Sequence, residues 1–125
     1  MSEKLDCLGL PAGYPLDDQR EVTPRQVKAM MDGCEDFVLI DCRTAQEYQL
    51  VRIAEAQLVP LQDLVGRLQE LRNLQDKKIV VYCHHGVRSL QMTAVLRQCD
   101  FPFVRSMVGG IDLWAMDIDP ALVRY

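Results

Sequence analysis

The 125-residue sequence lacks the features that mark membrane, fibrous and disordered proteins. No stretch approaches the roughly 18 consecutive apolar residues of a membrane span, and the first residues lack the basic start and apolar stretch of a signal peptide. Internal repeats and low-complexity segments are also missing. Hydrophobic residues make up 49% of the chain and charged residues 26%, as in ordinary globular domains. The sequence therefore predicts a soluble cytoplasmic protein with no membrane partner.

Basic residues are too few for a protein that binds nucleic acid. The 14 Lys and Arg against 18 Asp and Glu give a net charge of −4, whereas non-specific binding to phosphates needs an excess of cations. The five cysteines contain no CxxC pair and indicate neither a zinc ribbon nor a disulfide framework. The length fits a single domain. We predict an irregular N-terminal arm over residues 1–20 and one domain over residues 21–125.

Apolar patterning predicts alternating strands and helices. Segments 37–40 and 78–82 are predicted as strands buried on both faces, because their apolar residues follow one another without alternation. A brief strand closed by proline is expected at 57–60, and a last strand over 101–106. Capping boxes at 23–26 and 44–47 predict two helix starts, leucine spacing predicts a helix over 61–74, and further helices are expected up to Cys99 and around Trp114. The fold class is therefore α/β, with a parallel sheet that has helices on both faces.

Ligands of open parallel sheets bind beyond the carboxyl ends of the strands. One such position is Asp41-Cys42-Arg43, and another is the loop Cys83-His84-His85-Gly86-Val87-Arg88. The loop alone combines a thiol, a glycine, a cation and a following helix, whose N-terminus lowers the pKa of a nearby cysteine. Gly86 permits positive φ, and the Arg88 fork suits sulfonate or phosphate oxygens. The loop is therefore the predicted active site, with Cys83 as nucleophile.

Four motifs in order resemble a known family. They are D-C-R-x3-E-Y at 41–48, the segment Ala56–Pro60, the loop at 83–88 and G-G-x3-W at 109–114. Over residues 21–114 the chain is similar to the single-domain rhodanese-like sulfurtransferases. The resemblance implies a rhodanese-like fold with a central parallel five-stranded sheet. The chain departs from the family's usual G-H-I-x-G-A at Val51–Ala56, and Asp100 replaces a common glycine; neither change affects the nucleophile.

The resemblance also implies a reaction. In the family the loop cysteine, here Cys83, takes the outer sulfur of thiosulfate or a related donor, forms a persulfide, and passes the sulfur to cyanide or a thiol. The implied partners are a small anionic sulfur donor and a thiol or protein acceptor, and no metal or organic cofactor is required. The residues assigned to substrate binding are Arg88, His84, His85, Gly86, Val87 and Arg43.

Some residues have two interpretations. Arg43 either touches the substrate or pairs with Glu47 to fix a helix start. Cys42 is either a buried packing residue or a thiol that forms a disulfide with persulfidated Cys83. His84 and His85 are expected at the loop rim, because three consecutive residues with Cys83 rarely converge on one metal ion.

Three other functions compete with thiosulfate sulfurtransfer. A rhodanese-fold phosphatase or arsenate reductase would use Cys-x5-Arg, whereas four residues separate Cys83 from Arg88 here. A non-catalytic binding module usually lacks the cysteine. A persulfide carrier in a protein relay uses the same chemistry with a different partner, and the sequence leaves this alternative open together with the oligomeric state.

Overall fold

The computed structural model describes residues 4–125, so residues 1–3 of the expected arm lie outside the described residues. Strands and helices alternate along the chain, and 3₁₀ turns at Leu61–Asp63 and Arg72–Leu74 flank the third helix. The elements are β1 (Glu21–Val22), α1 (Pro24–Asp32), β2 (Val38–Asp41), α2 (Ala45–Leu50), β3 (Gln57–Leu58), α3 (Leu64–Leu71), β4 (Ile79–Tyr82), α4 (Val87–Gln98), β5 (Val104–Met107) and α5 (Gly110–Asp117).

The strands form one sheet in the order β1-β5-β4-β2-β3. Every pairing is parallel, which confirms the expected five-stranded parallel sheet. β4 is buried along its whole length. Because Asp41 of β2 pairs with Tyr82 of β4, the two segments that follow these strands emerge side by side at the carboxyl edge of the sheet.

The sheet has a hydrophobic core on each face, because side chains of a strand alternate between its two sides. On one face Val80 and Tyr82 pack with residues of α1 and α5, including Val27 and Trp114. On the other face Ile79 and Val81 pack with α3 and α4. The predicted α/β class with helices on both faces is therefore confirmed.

Two predicted boundaries are wrong. The single helix expected over 61–74 is α3 with a 3₁₀ turn at each end. The prediction failed because 3₁₀ turns repeat every three residues, and leucine spacing cannot distinguish them from an α-helix. The last strand begins at Val104 rather than Phe101, since residues 102–103 form a turn and Pro102 has no N–H for a sheet ladder. Asp100 has a φ of 71°, the left-handed conformation that a glycine would allow.

Residues 4–20 pack against the sheet by way of α5. Leu10 is 1% exposed and contacts Val108 and Leu113. This segment leads into β1, which pairs with Ser106 and Met107 of β5 and at two residues is too short to produce an apolar pattern. Among the described residues no helix has the length and apolar character to cross a bilayer.

Candidate active site

Cys83 directly follows β4 and is 1% exposed. Its Sγ accepts hydrogen bonds from the Gly86 N–H at 3.1 Å and the Ser89 N–H at 3.4 Å, and it lies 3.5 Å from the Ser89 hydroxyl. Gly86 has a φ of 104°, the conformation expected from the sequence. Ser89 was not expected in the site, and its hydroxyl is oriented by Ser106 Oγ at 2.7 Å. The loop therefore surrounds the sulfur with donors that favour a thiolate.

The start of α5 holds the opposite side of this loop. The N–H groups of Ile111 and Asp112 donate to the carbonyl oxygens of Cys83 and His84, at 2.8 and 3.1 Å. Gly110 makes this approach possible, because a Cβ there would lie 2.4 Å from each of the two oxygens. Since the loop carbonyls are bound on this side, the Gly86 and Ser89 N–H groups are free to face Sγ.

Cys42 is the neighbour of Cys83 across the sheet. The Cys42 N–H donates to the Tyr82 carbonyl at 3.0 Å, and both cysteines are buried. A hydrogen bond from the Cys42 thiol is the largest influence on the pKa of Cys83, which falls from 9.0 to about 4 despite opposing desolvation, with further contributions from Ser89 and Gly86. The same hydrogen bond and burial hold the pKa of Cys42 well above its usual range. At neutral pH the pair is one thiolate and one thiol.

Replacing Cys42 by alanine is expected to raise the pKa of Cys83 by a unit or more, roughly the effect of losing one hydrogen bond to a buried charge. Cys42→Ser keeps a donor and is expected to retain most of the shift. The measurement is the pH dependence of Cys83 alkylation by iodoacetamide, followed on its own peptide so that the exposed Cys7 and Cys34 do not interfere. Equal alkylation profiles for the alanine and serine variants would contradict the assigned hydrogen bond.

Asp41 and Arg43 form a fully buried ion pair. Arg43 Nη2 lies 2.6 Å from Asp41 Oδ2 with both side chains 0% exposed, and Arg43 Nε lies 2.9 Å from Oδ1. The Tyr82 hydroxyl donates to the same carboxylate at 2.8 Å, and Arg43 also binds the Val51 carbonyl. The Arg43 guanidinium is held by these internal partners, because a buried cation must be paired, and contact between Arg43 and the substrate stays a prediction.

Arg88, rather than Arg43, is the partner of Glu47. The guanidinium donates through Nη1 to Oε1 at 2.7 Å and through Nη2 to Oε2 at 3.0 Å. This pairing holds the pKa of Glu47 far below its usual range, with help from Tyr125 and Thr44 against the effect of burial. Glu47 also completes the expected capping box with Thr44 at the start of α2. The sulfonate-binding role assigned to Arg88 remains a prediction.

The two histidines lie at the outer side of the loop. The His84 ring stacks on the Tyr125 ring with centroids 3.8 Å apart, and it is tilted by 30° against the His85 ring with centroids 3.9 Å apart. Burial and the charge of His85 lower the pKa of His84 against weaker contacts that raise it, so its imidazole is neutral at neutral pH. His85 and Val87 are exposed. Tyr125 was missed by sequence analysis because it meets Arg43 across 82 residues of chain, and no local pattern signals that contact.

A cleft of about 230 Å³ opens beside the loop, with Cys42, Leu61 and Arg88 in its wall. Within residues 4–125, no group of three or more His, Cys, Asp and Glu side chains is placed to hold a metal ion. The arrangement thus offers a thiolate in a ring of donors, next to a small open space.

Comparison with known proteins agrees with this geometry. Residues 23–117 match the model of the family described as Rhodanese-like domain. The chain is 35% identical over 105 residues to the probable adenylyltransferase/sulfurtransferase MoeZ of Mycobacterium tuberculosis, with 83% of this chain aligned to 26% of that protein. It therefore spans about a quarter of MoeZ. It is 32% identical to a sulfurtransferase of Allochromatium vinosum, covering 76% of this chain and 87% of the relative.

Solved structures show the same architecture. The thiosulfate sulfurtransferase of Pseudomonas aeruginosa superposes with a TM-score of 0.70 at 27% identity, over 79% of this chain and 19% of that one. The family match covers most of the sequence, and the cysteine loop, the buried Asp41–Arg43 pair and the Gly109-Gly110 turn lie together at one edge of the sheet. The chain belongs to the rhodanese-like domain family.

Proposed function

We propose that the protein is a sulfurtransferase that moves sulfane sulfur from thiosulfate or a related donor to a thiol through a persulfide on Cys83. One observation carries the proposal: the buried Cys83 Sγ accepts hydrogen bonds from the Gly86 and Ser89 N–H groups at the end of β4. These contacts and Cys42 lower the pKa of Cys83 to about 4 and favour its thiolate. The thiolate is the nucleophilic form of cysteine. At neutral pH the site therefore needs no separate base to activate its nucleophile.

The proposed chemistry has two displacements. Cys83 Sγ attacks the outer sulfur of thiosulfate, a new S–S bond forms, and sulfite leaves with the electron pair of the broken bond. A thiolate acceptor then attacks the outer sulfur of the persulfide, and Cys83 leaves as a thiolate. The Gly86 and Ser89 N–H groups, 3.1 and 3.4 Å from Sγ, stabilise that leaving group as preorganised donors do at other developing anions.

The surroundings of the loop support sulfur rather than phosphate as the transferred group. A phosphatase needs its loop arginine on the phosphoryl oxygens, whereas Arg88 is bound to Glu47 through both terminal nitrogens. Relatives are named sulfurtransferases. MoeZ is named an adenylyltransferase as well as a sulfurtransferase. A persulfide carrier in a protein relay, which uses the same chemistry on Cys83, is the second candidate. For both candidates we propose that the Gly86 N–H binds the sulfur of Cys83. The side chains of His84, His85 and Val87 then form the rim of the loop.

The test is the intact mass of the protein after brief incubation with thiosulfate, followed by peptide mapping. We expect a gain of one sulfur atom on the Cys83 peptide and its loss on addition of cyanide. Cys34→Ala is the control, because Cys34 is exposed and lies just after α1, at the edge of the sheet opposite the loop. Sulfur mapped to Cys34, or to Cys42 alone, would contradict the proposal.

A further inference from the structure

The cations next to the loop are already neutralised. Three arginines lie in the loop or contact residues bound to it, and each of them is paired with a carboxylate. They are Arg88 with Glu47 at 2.7 and 3.0 Å, Arg43 with Asp41 at 2.6 Å, and Arg124 with Asp112 at 2.9 and 3.2 Å. Each pair contributes no net charge toward a ligand.

The remaining polar groups of the loop add little positive charge. His84 is neutral at neutral pH because its pKa is lowered, and His85 Nδ1 lies 3.9 Å from the Asp112 carboxylate. The Gly86 and Ser89 N–H groups point at Cys83 Sγ. Among the described residues, the groups that face Cys83 Sγ therefore stabilise the charge of the thiolate and leave no positive charge for a second anion.

We propose that this site selects sulfur donors that carry at most one negative charge, such as the persulfide of a small thiol, over the thiosulfate dianion. The inference rests on the proposed transfer through Cys83 and names its donor class. The thiolate is 1% exposed, so an approaching anion is poorly screened by water and the repulsion grows with each added charge. Arg88 would offset one of these charges if Glu47 did not hold it.

Donors of both classes transfer one sulfur atom to Cys83 by the same kind of displacement. With a thiol persulfide, R–S–SH, the Cys83 thiolate attacks the terminal sulfur and the S–S bond of the donor breaks. The leaving thiolate R–S⁻ takes up the proton to give R–SH. With methanethiosulfonate, CH₃SO₂S⁻, methanesulfinate leaves with the bonding electron pair. In each case Cys83 becomes a persulfide anion, and no external oxidant or reductant takes part.

Thiosulfate and methanethiosulfonate form a matched pair of probes, since both present a terminal sulfane sulfur and differ by one charge. We expect kcat/KM for loading Cys83 to be at least about tenfold higher for methanethiosulfonate at low ionic strength. Added salt should raise the rate with thiosulfate more than the rate with methanethiosulfonate, because it screens repulsion between like charges. Equal kcat/KM values with equal salt dependence would overturn the inference.

Glu47→Gln tests the structural cause. Glutamine keeps the N3 partner of the Thr44 capping box but removes the charge that neutralises Arg88. We expect kcat/KM for thiosulfate to rise about tenfold, and the preference for methanethiosulfonate to narrow. The control Asp32→Asn changes net charge equally in the last turn of α1, at the edge of the sheet opposite the loop, and should leave the preference unaltered.

The two proposals fail in different ways. If neither donor places sulfur on Cys83, sulfur transfer itself is refuted and the donor preference with it. If both donors load Cys83 equally well in the wild-type protein and in Glu47→Gln, only the donor preference is refuted. A result in which Glu47→Gln and Asp32→Asn shift the preference equally would assign it to the overall charge of the protein instead of the Arg88–Glu47 pair.

Discussion

A Cys83→Ala variant is expected to transfer sulfur at less than about one ten-thousandth of the wild-type rate, since removing a covalent nucleophile leaves only substrate binding. None of the other four cysteines substitutes for it. Cys42 is a buried thiol whose pKa is raised, Cys99 lies half-buried at the far end of α4, and Cys7 and Cys34 are exposed on other parts of the surface. The measurement is the single-turnover rate of sulfur loading, with Cys34→Ala as the control. Residual activity above one-tenth of wild type would assign the reaction to another thiol.

The same variant should change how stability depends on pH. The pKa of Cys83 is lowered to about 4 in the folded protein from 9.0, so the unfolded chain binds more protons between these values. Stability from the thiolate is therefore fully present above pH 9 and is lost as the pH falls toward 4. Urea unfolding from pH 5 to pH 8 should show wild type gaining stability relative to Cys83→Ala. A difference independent of pH would contradict the lowered pKa.

Asp41→Asn is expected to destabilise the protein by about 3–5 kcal/mol, the usual result of removing one partner from a buried ion pair. Asparagine has nearly the same volume, so the loss comes from the uncompensated charge of Arg43, which is 0% exposed. Tyr82 also loses a charged acceptor for its hydroxyl. The measurement is the free energy of unfolding in urea, compared with Asp32→Asn, which breaks an exposed pair with Lys28 and should cost about 1 kcal/mol or less.

A second substitution separates charge from packing at this site. If Arg43 is made neutral as well, in Asp41→Asn/Arg43→Met, no buried charge is left alone and part of the lost stability should return. The double variant should then unfold at a higher urea concentration than Asp41→Asn. A double variant less stable than the single one by a further 2 kcal/mol or more, about the loss of an independent core side chain, would show that Arg43 acts mainly through packing and its bond to Val51.

Local sequence patterns predicted most of the secondary structure. The capping boxes mark helix starts at Pro24 and Ala45 because their hydrogen bonds join residues three apart. The apolar run before Cys83 became the fully buried β4. Patterns failed where two structures share a period, as in the 3₁₀ turns around α3, and where a strand is too short to show one, as in β1.

Side-chain partners were harder to predict than elements. One of the two interpretations of Arg43 pairs it with Glu47, which is four residues away, but Glu47 binds Arg88, which is 41 residues away. The nearer arginine is already engaged, because the buried carboxylate of Asp41 binds Arg43 inside the core. The competition between two carboxylates for two arginines depends on burial, which spacing along the chain does not report.

The sequence by itself determined the α/β class and the placement of Cys83 between a buried strand, a left-handed glycine and a helix, because each of these is a property of neighbouring residues. Only the tertiary structure decided the charge state and charge balance of the site. Cys42 meets Cys83 through the register of two parallel strands, Ser106 orients Ser89 across 17 residues, and Tyr125 reaches Arg43 across 82. Those contacts exist because folding brings distant segments to one edge of the sheet, where burial makes each charge require a partner.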